Sequence, residues 1–135
     1  AALVSEGSSR HALQALRAGH EQPIAVWAAH GHQVTAAAFS PRNGYLVTSD
    51  DRGNVRLWSG RAGRLLKDIG RGHSKHIYSA AFSHDDALVV TASGDQTAKL
   101  WNTKTGEHVK TLKGHDDWVT SAAFSPDGAL VVTAS

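Results

Sequence analysis

Residues 72–93, GHSKHIYSAAFSHDDALVVTAS, decide the fold, because the chain says the same thing three times. Residues 114–135 read GHDDWVTSAAFSPDGALVVTAS, and residues 31–49 read GHQVTAAAFSPRNGYLVTS. The opening glycines Gly31, Gly72 and Gly114 are spaced by 41 and 42 residues, Phe39, Phe82 and Phe124 by 43 and 42, and Trp58 and Trp101 by 43. Three separate markers with one spacing identify an internal repeat of about 42 residues, the length of a small stacked unit.

Within each unit the pattern alternates with period 2. VTAAAF, IYSAAF and VTSAAF are short β-rich runs, followed after a polar turn by YLVTS or ALVVTAS. NVRLW and QTAKLW come next, then RLLKDI and HVKTL. Gly, Pro, Asn and Asp separate the runs, as hairpin turns require. Each unit therefore predicts four antiparallel strands, a to d. Small residues crowd strand a (Ala36, Ala37, Ala38, Ala80, Ala81, Ala122, Ala123). Strand b (Leu46, Val47, Leu88, Val89, Val90, Leu130, Val131, Val132) and strand c (Leu57, Leu100) supply the large apolar side chains.

A four-stranded repeat of this length, opened by Gly-His and closed by Trp on strand c, resembles the WD-repeat β-propeller family from about residue 23 onward. The closing dipeptide departs from the family's, since Ser59 follows Trp58 and Asn102 follows Trp101. The resemblance implies an all-β fold, a partial propeller with strand d at 23–29, blades at 31–70 and 72–113, and a half blade at 114–135. It puts strand a nearest the propeller axis, where small side chains fit the taper. It also implies a hydrogen-bonded relay of His, Ser/Thr, Asp and Trp in each blade. Carried over residue by residue, the relay is His73, Thr91, Asp95 and Trp101 in the second repeat, and His115 with Thr133 in the third. In the first repeat it is His32, Thr48 and Trp58, with Asp51 replacing the Asp that Arg52 displaces. A closed ring needs about four to eight blades, so the expected eleven strands are part of one.

Residues 1–22 do not repeat. Ser8 or Ser9 as a cap, Ala12, Leu13 and Leu16 on one face and Gly19 as a stop predict a short helix over about 9–18, in a lead-in ending at residue 22. That lead-in resembles the one before the propeller in multidomain bacterial signalling proteins with an NTPase module. No methionine occurs, even at position 1, so a processed or partial chain is expected.

Composition narrows the function. With 41% apolar and 19% charged residues the chain is globular in character, and no apolar run approaches the roughly 18 residues of a membrane-spanning helix. Without cysteine there is no disulfide, thiolate metal site or cysteine nucleophile. The first residues lack a basic, apolar leader, and the cytoplasm is the expected location. No phosphate-binding loop, nucleophile elbow or H-E-x-x-H run is present, so no enzyme and no cofactor are expected. His30 and His32 lack a carboxylate at ligand spacing, so no metal is expected there. Asp50–Asp51, Asp85–Asp86 and Asp116–Asp117 fall at turns, where Asp bonds its own backbone. The stripe Arg52, Arg56, Arg61, Arg64, Lys67, Arg71 and Lys75, with Asp68 as its one acid, raises a nucleic-acid interface as an alternative. It lacks interleaved aromatics, and a charged outer edge strand explains it better.

The family's usual binding face lies at the entry to strand a. There the resemblance places Gln33 and Thr35, His76 and Tyr78, and Trp118 and Thr120, with Gly94 on the same rim. Tyr and Trp are favoured at interface hot spots. The expected function is a non-catalytic protein–protein interaction platform. The expected partners are other proteins or peptides and further blades of the same propeller, with no membrane, and with nucleic acid only as the alternative that the basic stripe raises. A regulatory propeller segment of a multidomain bacterial NTPase, kinase or protease is the narrower alternative.

Overall fold

A computed structural model describes residues 30–60 and 63–135 with their side chains, and the strand backbones 2–6, 12–17 and 23–28. The described residues form thirteen strands and no helix. β1 (Ala2–Glu6), β2 (Ala12–Arg17) and β3 (Pro23–Ala28) make one antiparallel sheet. β4 (Val34–Phe39), β5 (Tyr45–Asp50), β6 (Asn54–Ser59) and β7 (Arg64–Arg71) make a second, a complete a-b-c-d blade. β8 (Ile77–Phe82), β9 (Leu88–Ser93), β10 (Ala98–Asn102) and β11 (His108–Leu112) make the third, and β12 (Ser121–Phe124) pairs with β13 (Val131–Ala134).

The helix expected over 9–18 is corrected: Ala12–Arg17 is the central strand of the first sheet. Ala, Leu, Gln and Arg favour helix locally. Pairing on both sides overrides that preference, with Leu13 opposite Glu6 on β1 and opposite Trp27 on β3. The order β1-β2-β3 is that of the last three strands of a blade, so the helical lead-in that pointed to a bacterial signalling protein is absent among the described residues.

The inner strands β4, β8 and β12 lie side by side. Ala37, Ala80 and Ala122 sit directly opposite Thr48, Thr91 and Thr133 on strand b. The small side chain leaves room for what that threonine binds. Strands β5 and β9 are covered on both faces, which is why their apolar residues run on without polar alternation. Val47, Val55, Leu57, Ile77, Val89 and Trp101 fill the seam between the two complete blades, and Val90, Ala92, Ala98, Val119 and Ala122 fill the next. Each large side chain buried there contributes about 1.5–3 kcal/mol. Leu130 and Val132 depart from the expected packing: they are 70% and 67% exposed, because no described sheet covers their face of β13.

Polar contacts also cross the seam. Gly53, at φ +88°, brings its carbonyl 3.1 Å from the His73 N–H of the next blade, and a Cβ at Gly53 would lie 2.0 Å from the His73 carbonyl oxygen. Asp86 is buried at φ 63° in the a–b turn, in the place that Gly128 takes in the following repeat. Asp tolerates this left-handed backbone better than most residues. Its carboxylate accepts the backbone N–H groups of Arg42 and Asn43, at 3.2 and 2.7 Å, in the neighbouring blade's turn. In Asp86→Gly the backbone loses its strain together with the carboxylate. Urea unfolding should still show a loss of about 1–3 kcal/mol; an unchanged midpoint would mean the two cross-blade bonds contribute nothing.

Candidate functional site

The polar core of each blade is a one-way chain of donors. In the second blade the Trp101 indole N–H donates to Thr91 Oγ1 at 2.9 Å. Thr91 Oγ1 lies 2.7 Å from His73 Nε2, and His73 Nδ1 lies 2.9 Å from Asp95 Oδ2. A carboxylate only accepts, so Nδ1 carries the hydrogen that Asp95 receives. In the neutral imidazole Nε2 is then bare and takes the Thr91 O–H, while the threonine oxygen also accepts the indole N–H. Asp95 is held in turn by the Thr97 hydroxyl at 2.6 Å and the Thr97 N–H at 3.0 Å. These are the four residues assigned to this blade from sequence.

The first blade builds the same chain with two different residues and leaves its last link, from histidine to aspartate, a close contact without hydrogen-bond geometry. Trp58 donates to Thr48 at 2.9 Å, and Thr48 meets His30 Nε2 at 2.6 Å, so His30 takes the place expected for His32, which is exposed. His30 Nδ1 lies 3.2 Å from Asp50 Oδ2, close but not aligned as a hydrogen bond. Asp50, not Asp51, is therefore the acid. Asp50 is the last residue of β5 and is gripped by the Arg52 and Asn54 N–H groups at 2.9 Å each and by the Asn54 amide at 2.8 Å. The b–c turns are equal in length, with ten residues from threonine to tryptophan in each blade; Arg52 holds the position of Asp95, and Asp50 supplies the carboxylate from the strand end two places earlier. Spacing carried the signal for the histidine: His30 and Thr48 are 18 apart, like His73 and Thr91. In the third repeat His115 Nε2 and Thr133 Oγ1 are 2.8 Å apart, again 18 residues from one another.

Burial pushes the imidazoles of His30 and His73 below their ordinary pKa of 6.5, against the pull of their aspartates. Burial also works to raise Asp50 and Asp95. The hydrogen bonds from Asn54 and Arg52 to the first, and from Thr97 and His73 to the second, outweigh it and hold both below 3.8. The remaining paired acids act in turns: Asp85 accepts from Ser83 at 2.7 Å, and Asp117 from the Trp118 N–H at 2.8 Å.

The d–a and b–c turns form the rim at one end of the blades. Strands β4 and β8 each carry a bulge there, at Thr35 and at Tyr78, where the ladder skips one residue. A bulge re-aims the extra side chain. Thr35 turns to Ser49 at 3.2 Å. Tyr78 stacks against His76, with centroids 4.4 Å apart, and against Trp118 of the next repeat, at 5.7 Å and 21°. Trp118 remains 53% exposed. Gly94 is buried under this row, and a Cβ there would lie 3.4 Å from Tyr78 and 3.7 Å from Trp118. The row thus joins His76, Tyr78, Gly94 and Trp118. Gln33 is exposed in the first blade, and Thr120 bonds the Ala134 carbonyl at 2.8 Å beyond Trp118.

At the opposite end, the a–b and c–d turns border a cleft of about 670 Å³ lined by Tyr45, Leu57, Leu66, Lys67, Thr103 and Lys104. Spacing gave no sign of it, because it forms between turns of different blades. In the basic stripe, Arg56 pairs with Asp68 at 3.4 Å and Arg71 bonds the Ser74 carbonyl at 3.1 Å, while Arg61 lies outside the described residues.

The family model for the WD domain, G-beta repeat, matches residues 21–59, 63–102 and 106–135. The chain belongs to the WD-repeat family. WD repeats generally mediate protein–protein interaction and are typically non-catalytic. A comparison with curated proteins finds no match.

Two outcomes test the WD-repeat relay. Asp95→Ala and Asp50→Ala should each cost about 1–3 kcal/mol in urea unfolding, by leaving buried donors unpaired, whereas Asp51→Ala should cost less than either. Equal effects of Asp50→Ala and Asp51→Ala would return the first-blade assignment to the turn. The second outcome is acid sensitivity. A histidine with a lowered folded pKa binds its proton more readily when unfolded. Stability is therefore full above about 6.5 and should fall as pH drops through that value, with a further loss below about 3.8 from the aspartates. A melting temperature that is flat between pH 8 and pH 5 would contradict the neutral-imidazole arrangement.

Proposed function

We propose that this WD-repeat chain is a non-catalytic recognition platform that binds protein segments across the rim of Tyr78 and Trp118. The observation that carries the reading is an indole left 53% exposed while stacked on a bulged tyrosine of the neighbouring blade. A rigid stacked pair offers large contact area with little conformational entropy left to lose. The relays and seams engage the buried residues, so the rim is where the sequence is free to select a partner. His76 extends the row, and Gln33, Thr35, Gly94 and Thr120 complete its border. Further blades are the other expected partner: Val132 on β13, with Leu130 just before it, presents the apolar face that Val90 buries in the second blade.

Peptides selected by the chain from a displayed random library should lose affinity by about tenfold or more with Tyr78→Ala and with Trp118→Ala. Neither substitution should move unfolding by more than about 1 kcal/mol. Selected peptides indifferent to both substitutions would refute the rim. A steep loss of binding with salt, unaffected by either substitution, would favour a nucleic-acid surface instead.

A further inference from the structure

We infer that the cleft between the two complete blades, at the end away from the rim, is a second docking surface, and that it takes a partner segment in which a large apolar side chain is followed by a carboxylate. The cleft, of about 670 Å³, lies among the a–b turns of both blades, the c–d turn of the second and the outer strand β7 of the first. A bulge re-aims β7 there. Leu57 of β6 pairs with Lys67 and Trp58 with Leu65, so Leu66 is the extra residue. Leu66 is left 38% exposed and lines the cleft with the half-buried Tyr45 and the buried Leu57. The same bulge recurs on β11, where Leu100 pairs with Lys110 and Trp101 with His108. The skipped residue is Val109, 52% exposed. An exposed apolar residue followed by lysine is thus built into the outer strand of both blades.

The charges around the cleft are unevenly committed. The stem of Lys67 lies along the c–d turn of the next blade, where a Cβ at Gly106 would be 3.7 Å from the lysine Cβ and Cδ. Lys104 stands on that same turn and also lines the cleft. Both lysines are exposed, and neither joins an ion pair among the described residues. The acids of the cleft are held by their turns. Asp86 accepts the Arg42 and Asn43 N–H groups, and Asp85 accepts the Ser83 hydroxyl and the Ala87 N–H. Asp68, next to Lys67, pairs with Arg56. Two cations without a carboxylate partner beside an apolar wall suit a group that is apolar at one end and anionic at the other. Complementary charge of this kind steers encounter and suppresses wrong partners. WD repeats generally mediate protein–protein interaction, so the occupant is a protein segment.

The test uses the 135-residue chain and degenerate heptapeptide pools with a fixed central pair, leucine-glutamate, leucine-glutamine, leucine-lysine or alanine-glutamate, read by fluorescence anisotropy. The leucine-glutamate pool should bind about tenfold tighter than the leucine-lysine pool and severalfold tighter than the other two. Lys67→Glu combined with Lys104→Glu should invert the order of the glutamate and lysine pools. Both side chains are exposed, so the urea midpoint should stay where it is. Leu66→Ser should bring the leucine-glutamate pool down to the level of the alanine-glutamate pool. A glutamate preference that survives the double reversal, no preference among the pools, or no binding by any of them would overturn the cleft. A leucine preference retained in Leu66→Ser would overturn its apolar wall. Trp118→Ala is the control for the rim and should leave the glutamate preference intact. Loss of the preference in Trp118→Ala, with none in the double reversal, would move it to the rim and overturn the cleft alone.

Discussion

The bare Nε2 of a buried histidine is the constraint on which each complete blade depends. It must receive a hydroxyl proton, because the aspartate beside Nδ1 only accepts and keeps the neutral imidazole's one hydrogen on that side. The direction of every bond follows: tryptophan to threonine, threonine to histidine, histidine to aspartate. No member can be reversed, and few residue types fit each place. The chain ties strand c to strand b, strand b to the d–a turn, and that turn to the b–c turn. Four segments that no local propensity would hold together are fixed by three contacts. A buried polar group left without its partner costs about as much as a large apolar side chain contributes, so a half-formed relay would forfeit what the neighbouring core provides.

The two complete blades show that the constraint acts on atoms, not on sequence positions. Asp95 comes from the b–c turn, two residues past the end of β9, whereas Asp50 ends β5 itself. Both place a carboxylate oxygen against Nδ1, at 2.9 and 3.2 Å, and both are steadied by groups from the turn that follows. The looser first-blade contact accompanies a carboxylate that reaches from the strand end and not from the turn. An alignment of motifs sees only the Gly-His pair and therefore selects His32. The 18-residue distance from histidine to threonine is set by the length of one hairpin and selects His30.

The fold was legible where two levels agreed. In residues 31–135 the alternation, the turn residues and the repeat spacing all point to strands, and strands are found. In Ala12–Arg17 they disagree: the residues prefer helix, the repeat is too worn to see, and cross-strand pairing decides. Features built between blades were not legible at all. Asp86 reads as an ordinary turn residue, and only the folded chain places it against Arg42 and Asn43, more than forty positions away. Gly53 reads as a turn glycine, yet the reason a side chain is excluded there is the backbone of His73.

The rim stands in a different relation to the sequence. Its place was legible from the repeat, but its shape depends on a bulge. If β8 continued without its skipped residue, Tyr78 would join the alternation of the strand, and side chains on strand a are small because blades converge there. The bulge takes Tyr78 out of that crowded layer and sets it beside Trp118. Thr35 occupies the same bulge one blade earlier, and it turns inward to Ser49. One backbone device thus serves two ends: a short hydroxyl closes the strand end, and a long ring crosses the seam. Because the relay and the apolar seams are complete without either side chain, a substitution at the bulge changes the surface while leaving the blade's framework intact. That separation lets a repeat whose interior is so narrowly specified carry a different surface in each copy.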